Sequence, residues 1–412
     1  KLPGEPWRPP GGNRSSPAIT KGFSGKPVMP TIPSLSRSMI WKRLFAIVLA
    51  LAAWFLPAGQ AGEPPAPLHV YGATDTITRV EVGVAYYLPR GRAPLPDWRD
   101  RVEYHMKRVQ SFHHREFGKQ SKLTYHILPE PFIASVAREG FPKDDVNDFF
   151  WHIVNEVWES GKITFSPEAF PIVLVLADVN FSPGYSDWTR ACDGQGCLFP
   201  EPHGDCAGHV TGTGEDRPGT RCGGARALFW PEKHIGLGLV TADGWRVPLT
   251  GTDCVVYHEG VGHSLGLPHP EPIDDSVMGL AQYVYPINQT WIDEDQKEAM
   301  GWVKKEIDHT DLFSSFTVNQ APQRPQASGP VTITAQLPLR FKVQSIQLEY
   351  QTGLWIPFHS AGEPVREERE GSQFFSWKIS PVPVGQSIGY RVRVVAAGGM
   401  REEIWSYYKV RD

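Results

Sequence analysis

The chain has 412 residues, with 41 Lys and Arg against 45 Asp and Glu and a formal net charge of −4. That balance excludes the basic footprint of a nucleic-acid binder and gives no attraction to an acidic membrane surface. At 41% hydrophobic and 21% charged residues the chain can bury a core, and its length calls for two domains beside any processed segment.

Residues 1–38 do not begin with Met and are rich in Pro, Gly, Ser and basic side chains. They offer little to a core and read as a disordered or upstream extension. From Met39 the pattern changes. Lys42 and Arg43 precede an apolar run from Leu44 to Leu56, Pro57 ends it, and Gly59-Gln60-Ala61 supplies small residues for cleavage. This is the pattern of a secretory signal over 39–61. The run falls short of the roughly 20 residues a bilayer span needs, and an uncleaved anchor is the alternative. The expected location is secreted or periplasmic, with no stable membrane insertion after cleavage.

Val80 to Leu88, rich in Val and Tyr, predicts a strand. Asp97 to Gln120 carries Val102, Met106, Val109 and Phe112 at helical spacing and predicts a long amphipathic helix capped by Asp97. A strand at Leu123 to Leu128 and a helix at Asp144 to Glu159 follow. Phe170 to Val179 is a continuous apolar run, as in a strand buried on both faces. Short strands are expected at Ala225 to Trp230 and Ile235 to Val240, and a helix from about Thr252. Strands alternating with helices give a layered α/β domain, here over 66–310. Asp293 to Trp302 reads as the last helix of that domain.

Val318 to Pro330 is a linker by composition. Beyond it, Val331–Ala335, Ser345–Tyr350, Phe374–Ile379, Ile388–Val395 and Ile404–Tyr408 are short β-prone segments divided by turn residues. They predict an all-β sandwich over 325–412 that resembles a fibronectin type III or immunoglobulin-like module in pattern.

Of the five cysteines, Cys192, Cys197, Cys206 and Cys222 lie in one stretch full of Gly, Asp and Pro, and Cys254 stands apart. In an exported chain two disulfides would staple that stretch, the pairing open and Cys254 the odd thiol. No C-x-x-C pair supports a metal knuckle. His203-Gly204-Asp205 with His209 offers ligands for a second, structural metal, against the ordinary reading of solvated loop side chains.

The stretch Thr252 to Pro270 (TDCVVYHEGVGHSLGLPHP) concentrates His258, His263, His269 and Glu259. Imidazoles and one carboxylate are the ligands and base that a catalytic zinc needs. Three protein ligands leave a position open for water, and a carboxylate accepts its proton. His263-Ser264-Leu265-Gly266-Leu267-Pro268-His269 is H-x-x-G-x-x-H, followed by Ser276-Val277-Met278-Gly279. Together they resemble the metzincin zinc peptidases, whose signature is H-E-x-x-H-x-x-G-x-x-H with a downstream Met-turn. The resemblance implies a metzincin-like α/β catalytic fold, Zn2+, a protein or peptide substrate, and Met278 beneath the site. The first half departs from that signature: His258 and His263 are five apart rather than four. The H-E-x-x-x-H spacing is similar to that of the dipeptidyl peptidase III family.

Positions five apart do not share a face of a regular helix. Two ligand sets follow. In one, a π-bulge eased by Gly260 and Gly262 absorbs the extra residue; His258, His263 and His269 bind the metal and Glu259 is the base. In the other, the helix is regular, Glu259 joins His263 and His269 as ligands, and His258 lies behind. The first predicts an exported zinc peptidase. The second admits a non-catalytic exported metal-binding or adhesion-type protein derived from a metallopeptidase. Tyr283 and Tyr285 are further candidates to line the pocket.

Overall fold

In the computed structural model, residues 67–142, 145–180, 225–248, 251–281, 285–304, 309–322, 329–352, 356–383 and 387–410 are described. The 1–38 extension, the signal run, the four clustered cysteines, His203, Asp205, His209 and Tyr283 lie outside them. Among the described residues no helix is long and apolar enough to cross a membrane.

Strand β1 (Arg79–Leu88) leads into helix α1 (Trp98–Phe117), then β2 (Lys122–Ile127) and the short β3 (Phe132–Ile133). Helix α2 (Val146–Glu159) precedes β4 (Phe170–Ala177), and β5 (Ala225–Trp230) precedes β6 (Ile235–Val240). Helices α3 (Ala242–Trp245) and α4 (Thr252–Tyr257) follow, then α5 (Glu294–Ala299) and α6 (Leu312–Ser315). The strands form one sheet in the order β2-β1-β4-β6-β5, with β3 also on β1. All pairs are parallel except β5 with β6, so the sheet is mixed and β5 is its antiparallel edge.

The apolar run of β4 shows why this sheet is buried on both faces. Ile172, Leu174 and Leu176 enter the core under α1 and α4, while Val173, Val175 and Ala177 enter the core under α2. Period-two alternation distributes one strand between two layers. Val102, Met106, Val109 and Phe112 of α1 are all fully buried, as their spacing predicts. The cap differs. Asp97 makes no side-chain cap; both its carboxylate oxygens accept from Arg101, at 2.9 Å each. At α2 it is Asp145 that caps, accepting from the Asn147 amide at 2.6 Å.

The remainder forms two four-stranded antiparallel sheets. One is ordered β10 (His359–Ser360), β9 (Val343–Gln351), β13 (Ser387–Ala396), β14 (Arg401–Lys409). The other is β11 (Val365–Arg369), β12 (Ser372–Ile379), β8 (Val331–Pro338), β7 (Thr317–Ala321). Their inner faces share one core that includes Ile333, Leu348, Trp377 and Val392. The start of the expected linker is a strand instead: β7 pairs with β8 from Thr317 to Ala321. The α/β part and these sheets belong to one unit, 65–412. They meet where Tyr104 and Val247 pack with Trp405 and Tyr407.

Candidate metal centre

Helix α4 starts at Gly251 and runs as a regular α-helix only to Tyr257; His258–Gly262 is a π-helical turn, and His263–Leu265 a 3-10 turn. The wider turn absorbs the extra residue between His258 and His263, which a regular helix would place on different faces. The sheet permits it. A Cβ on Gly238 of β6 would lie 2.8 Å from the Glu259 carbonyl oxygen and 2.9 Å from Gly260 Cα, so only glycine lets the π turn lie this close. Gly266 then takes φ +78°, its amide donating to the His263 carbonyl at 3.0 Å. The helix ends there, and the chain turns back to His269.

The result is a convergence of three imidazoles. Nε2 of His258 lies 3.0 Å from Nε2 of His263 and 3.1 Å from Nε2 of His269, and the last two are 3.2 Å apart. The contact between His258 and His263 is not a hydrogen bond. His258 Nδ1 is 2.9 Å from the Val277 carbonyl oxygen and His263 Nδ1 is 2.7 Å from that of Leu267. A carbonyl oxygen only accepts, so both rings carry their proton on Nδ1 and turn bare lone pairs toward each other at Nε2. Lone pairs at that distance repel unless a cation lies between them. A tetrahedral ion with nitrogen ligands at about 2.0–2.1 Å sets them about 3.3 Å apart, close to what is seen. The three histidines can therefore hold a metal ion. Burial, together with the neighbouring His263 and His269, holds the His258 imidazole well below its ordinary pKa. Burial also lowers that of His263. Both favour the neutral form that ligates.

Glu259 is not among the converging groups. Its Oε1 stands 4.0 Å from His258 Nε2, with the side chain 18% exposed. Burial pushes its carboxyl up to about 7, against the pull of the Arg226 guanidinium and the Ala227 amide on β5. Met278 is fully buried beneath the turn: a Cβ on Gly262 would lie 2.4 Å from its sulfur. Tyr285 is turned to structure, its ring against the core under α1 and its carbonyl accepting from the Cys254 thiol at 3.3 Å. Cys254 is free and buried.

No family model matches this chain, and no curated protein matches it. Among solved structures, wild-type OgpA from Akkermansia muciniphila aligns over 85% of this chain and 95% of its own, at 12% identity and a TM-score of 0.32. Astrotactin-2, described as a vertebrate-specific, perforin-like membrane protein involved in neuronal development, aligns over 29% of this chain at 13% identity and a TM-score of 0.20. The chain spans about 30% of the length of astrotactin-2. Likenesses this low bear on neither fold nor function.

Sequence reading missed the surroundings of the histidines. The carbonyls of Val277 and Leu267, which set the two ring tautomers, carry no side-chain signal, although Val277 sits inside the S-V-M-G stretch. The edge strand was foreseen as a strand, but not as the wall beside Glu259. Ala227 pairs with Gly238, the glycine on which the π turn rests, and this register brings β5 alongside. Among the described residues β5 pairs only with β6, and it borders the centre.

Proposed function

We propose that this chain is a zinc-dependent peptidase of metzincin-like type, with His258, His263 and His269 as metal ligands and Glu259 as general base. The observation that carries the reading is the convergence of three Nε2 atoms, with the lone pairs of His258 and His263 facing each other and a carboxylate beside them that is not needed as a ligand. Three imidazoles at tetrahedral spacing favour Zn2+. Such an ion polarises a carbonyl and makes water acidic enough to give up a proton near neutrality.

The chain's own groups do the rest. Strand β5 pairs only with β6 among the described residues, so its outer edge presents backbone donors and acceptors to an extended peptide. A peptide added there lies along the wall beside Glu259. The Glu259 carboxylate takes the proton of the attacking water and returns it to the departing amine as the C–N bond breaks, so one water is consumed per bond. The π turn leaves Glu259 free for this role. Export fits a peptidase acting on external protein, and it rests on the signal pattern alone.

The test is cleavage of an unfolded protein by the purified chain supplied with zinc, beside Glu259→Gln and a chelated sample. Cleavage should fall at least 100-fold in Glu259→Gln and vanish on chelation. Undiminished cleavage by that variant would remove Glu259 from the chemistry.

A further inference from the structure

Helix α4 carries His258 and Glu259 on its continuation, yet it has only six residues and its N-cap is Gly251, which supplies no side-chain cap. Something else must hold its start. That group is Asp253, whose Oδ1 accepts from the amides of Cys254 at 3.0 Å and Ile287 at 3.2 Å. The other oxygen of Asp253 accepts from Nε of Arg108 at 3.0 Å.

Arg108 lies on α1 with its side chain 2% exposed. Each arm of its guanidinium faces a different segment. Nε meets Asp253, and Nη2 donates to Asn288 Oδ1 at 2.6 Å. Nη1 faces Glu402 Oε2 of β14 at 3.8 Å, an ion pair without a hydrogen bond. Asn288 in turn donates to the carbonyls of Phe313 and Phe316, both at 3.0 Å, where the chain passes toward the β-sheets. The planar guanidinium fork suits this three-way junction, and an ammonium does not. Nearby, the Trp405 amide of β14 donates to the Tyr104 hydroxyl at 3.4 Å, and the two rings lie 5.5 Å apart.

We propose that Arg108 is a positioning residue of the metal centre, and that through it Glu402 makes the β-sheet part a structural component of that centre. The inference rests on the metal-centre reading above. Asp253 precedes His258 by five residues, about 7–8 Å along the helix axis. A tilt at Asp253 is therefore carried to the His258 ring, and metal geometry tolerates only about 0.5 Å of error. The β-sheet part is then not a separable binding module. It clamps α1 against α4, and α1 passes the restraint to the ligands.

The test is the full chain as Arg108→Lys and as Glu402→Gln, each loaded with Co2+. Three quantities are read: Co2+ affinity by chelator competition, the visible absorption of the bound ion, and the melting temperature without metal. Arg108→Lys should bind Co2+ more weakly, by up to about the tenfold typical when a group bonded directly to a metal ligand is lost, with a changed visible spectrum. Glu402→Gln should shift affinity in the same direction by less. A folded Arg108→Lys with wild-type affinity and spectrum overturns the proposal, even if its melting temperature falls. Should that variant not fold, Asp253→Asn takes its place and an unchanged affinity and spectrum there overturns the role of Arg108; an unchanged affinity and spectrum in Glu402→Gln, which keeps the Asp253 and Asn288 bonds, overturns the role of the β-sheet part. A wild-type chain that takes up no Co2+ overturns the metal-centre reading beneath it.

Discussion

Replacing Gly238 with Ala should harm the centre from a position that touches no ligand side chain. The added Cβ would lie 2.8 Å from the Glu259 carbonyl oxygen, 2.9 Å from Gly260 Cα and 3.0 Å from the Gly260 carbonyl oxygen. All three are backbone atoms of the π turn, which cannot rotate aside as a side chain can. Either β6 or the turn must move. Overpacking of this kind costs about 1–3 kcal/mol, and rigid neighbours place Gly238→Ala toward the upper end. At about 2–4 °C per kcal/mol for a domain of this size, the melting temperature should drop by about 4–12 °C. Catalysis should suffer beyond the stability loss, because the displaced carbonyl belongs to Glu259 itself: kcat should fall while metal content stays at one per chain. Gly329→Ala is the control, since a Cβ there meets nothing within 4 Å. Thermal melting, metal content and steady-state kinetics of the two variants check this. A Gly238→Ala protein as stable and as active as Gly329→Ala would refute the claim that the π turn is seated on β6.

Three further outcomes follow from buried polar groups. Lys297 pairs with Glu116 at 3.0 Å, both almost fully buried; Lys297→Met leaves part of that charge uncompensated and should cost about 3–5 kcal/mol in denaturant unfolding, whereas a cost below about 1 kcal/mol would contradict a structural role for the pair. Burial lowers the His105 imidazole to about 4 and that of His113 to about 3. The unfolded chain takes up protons at these positions below about 6.5 while the folded one does not, so their effect is nil above about pH 7 and destabilising as pH falls from 6.5 toward 4. His105→Gln should shrink the stability difference between pH 7.5 and pH 4 by about 3 kcal/mol, and an unchanged difference would show that His105 is not buried neutral. Cys254 is buried and its thiol is pushed well above its ordinary pKa by burial; peptide mapping should find it unlabelled by a thiol reagent in the native protein and labelled after unfolding, and rapid native labelling would place it at the surface.

How much of this was legible depended on whether the signal was local. The β4 run and the α1 stripe could be read because burial on a defined face writes itself into consecutive residues. The π turn could be anticipated as one of two outcomes, because His258 and His263 cannot both face one metal from a regular helix. The Asp97 cap could not be ruled out from sequence, since whether its carboxylate faces its own amides or Arg101 is decided by a rotamer. Strand β7 resembled a linker because its pairing with β8 supplies the order that its own half-exposed residues do not. The residues of β11 are all exposed and mostly charged, so nothing apolar marks them as a strand. The Arg108 junction is the least legible feature, uniting Arg108 with Asp253, Asn288 and Glu402 from distant parts of the chain.

The most direct test of the central claim is a count of bound metal by native mass spectrometry on the wild-type chain, His258→Ala and Glu259→Gln. The account predicts one ion per chain in the wild type and in Glu259→Gln, and none in His258→Ala. A full complement in His258→Ala, or its loss in Glu259→Gln, would make Glu259 the ligand and contradict the assignment of it as the base.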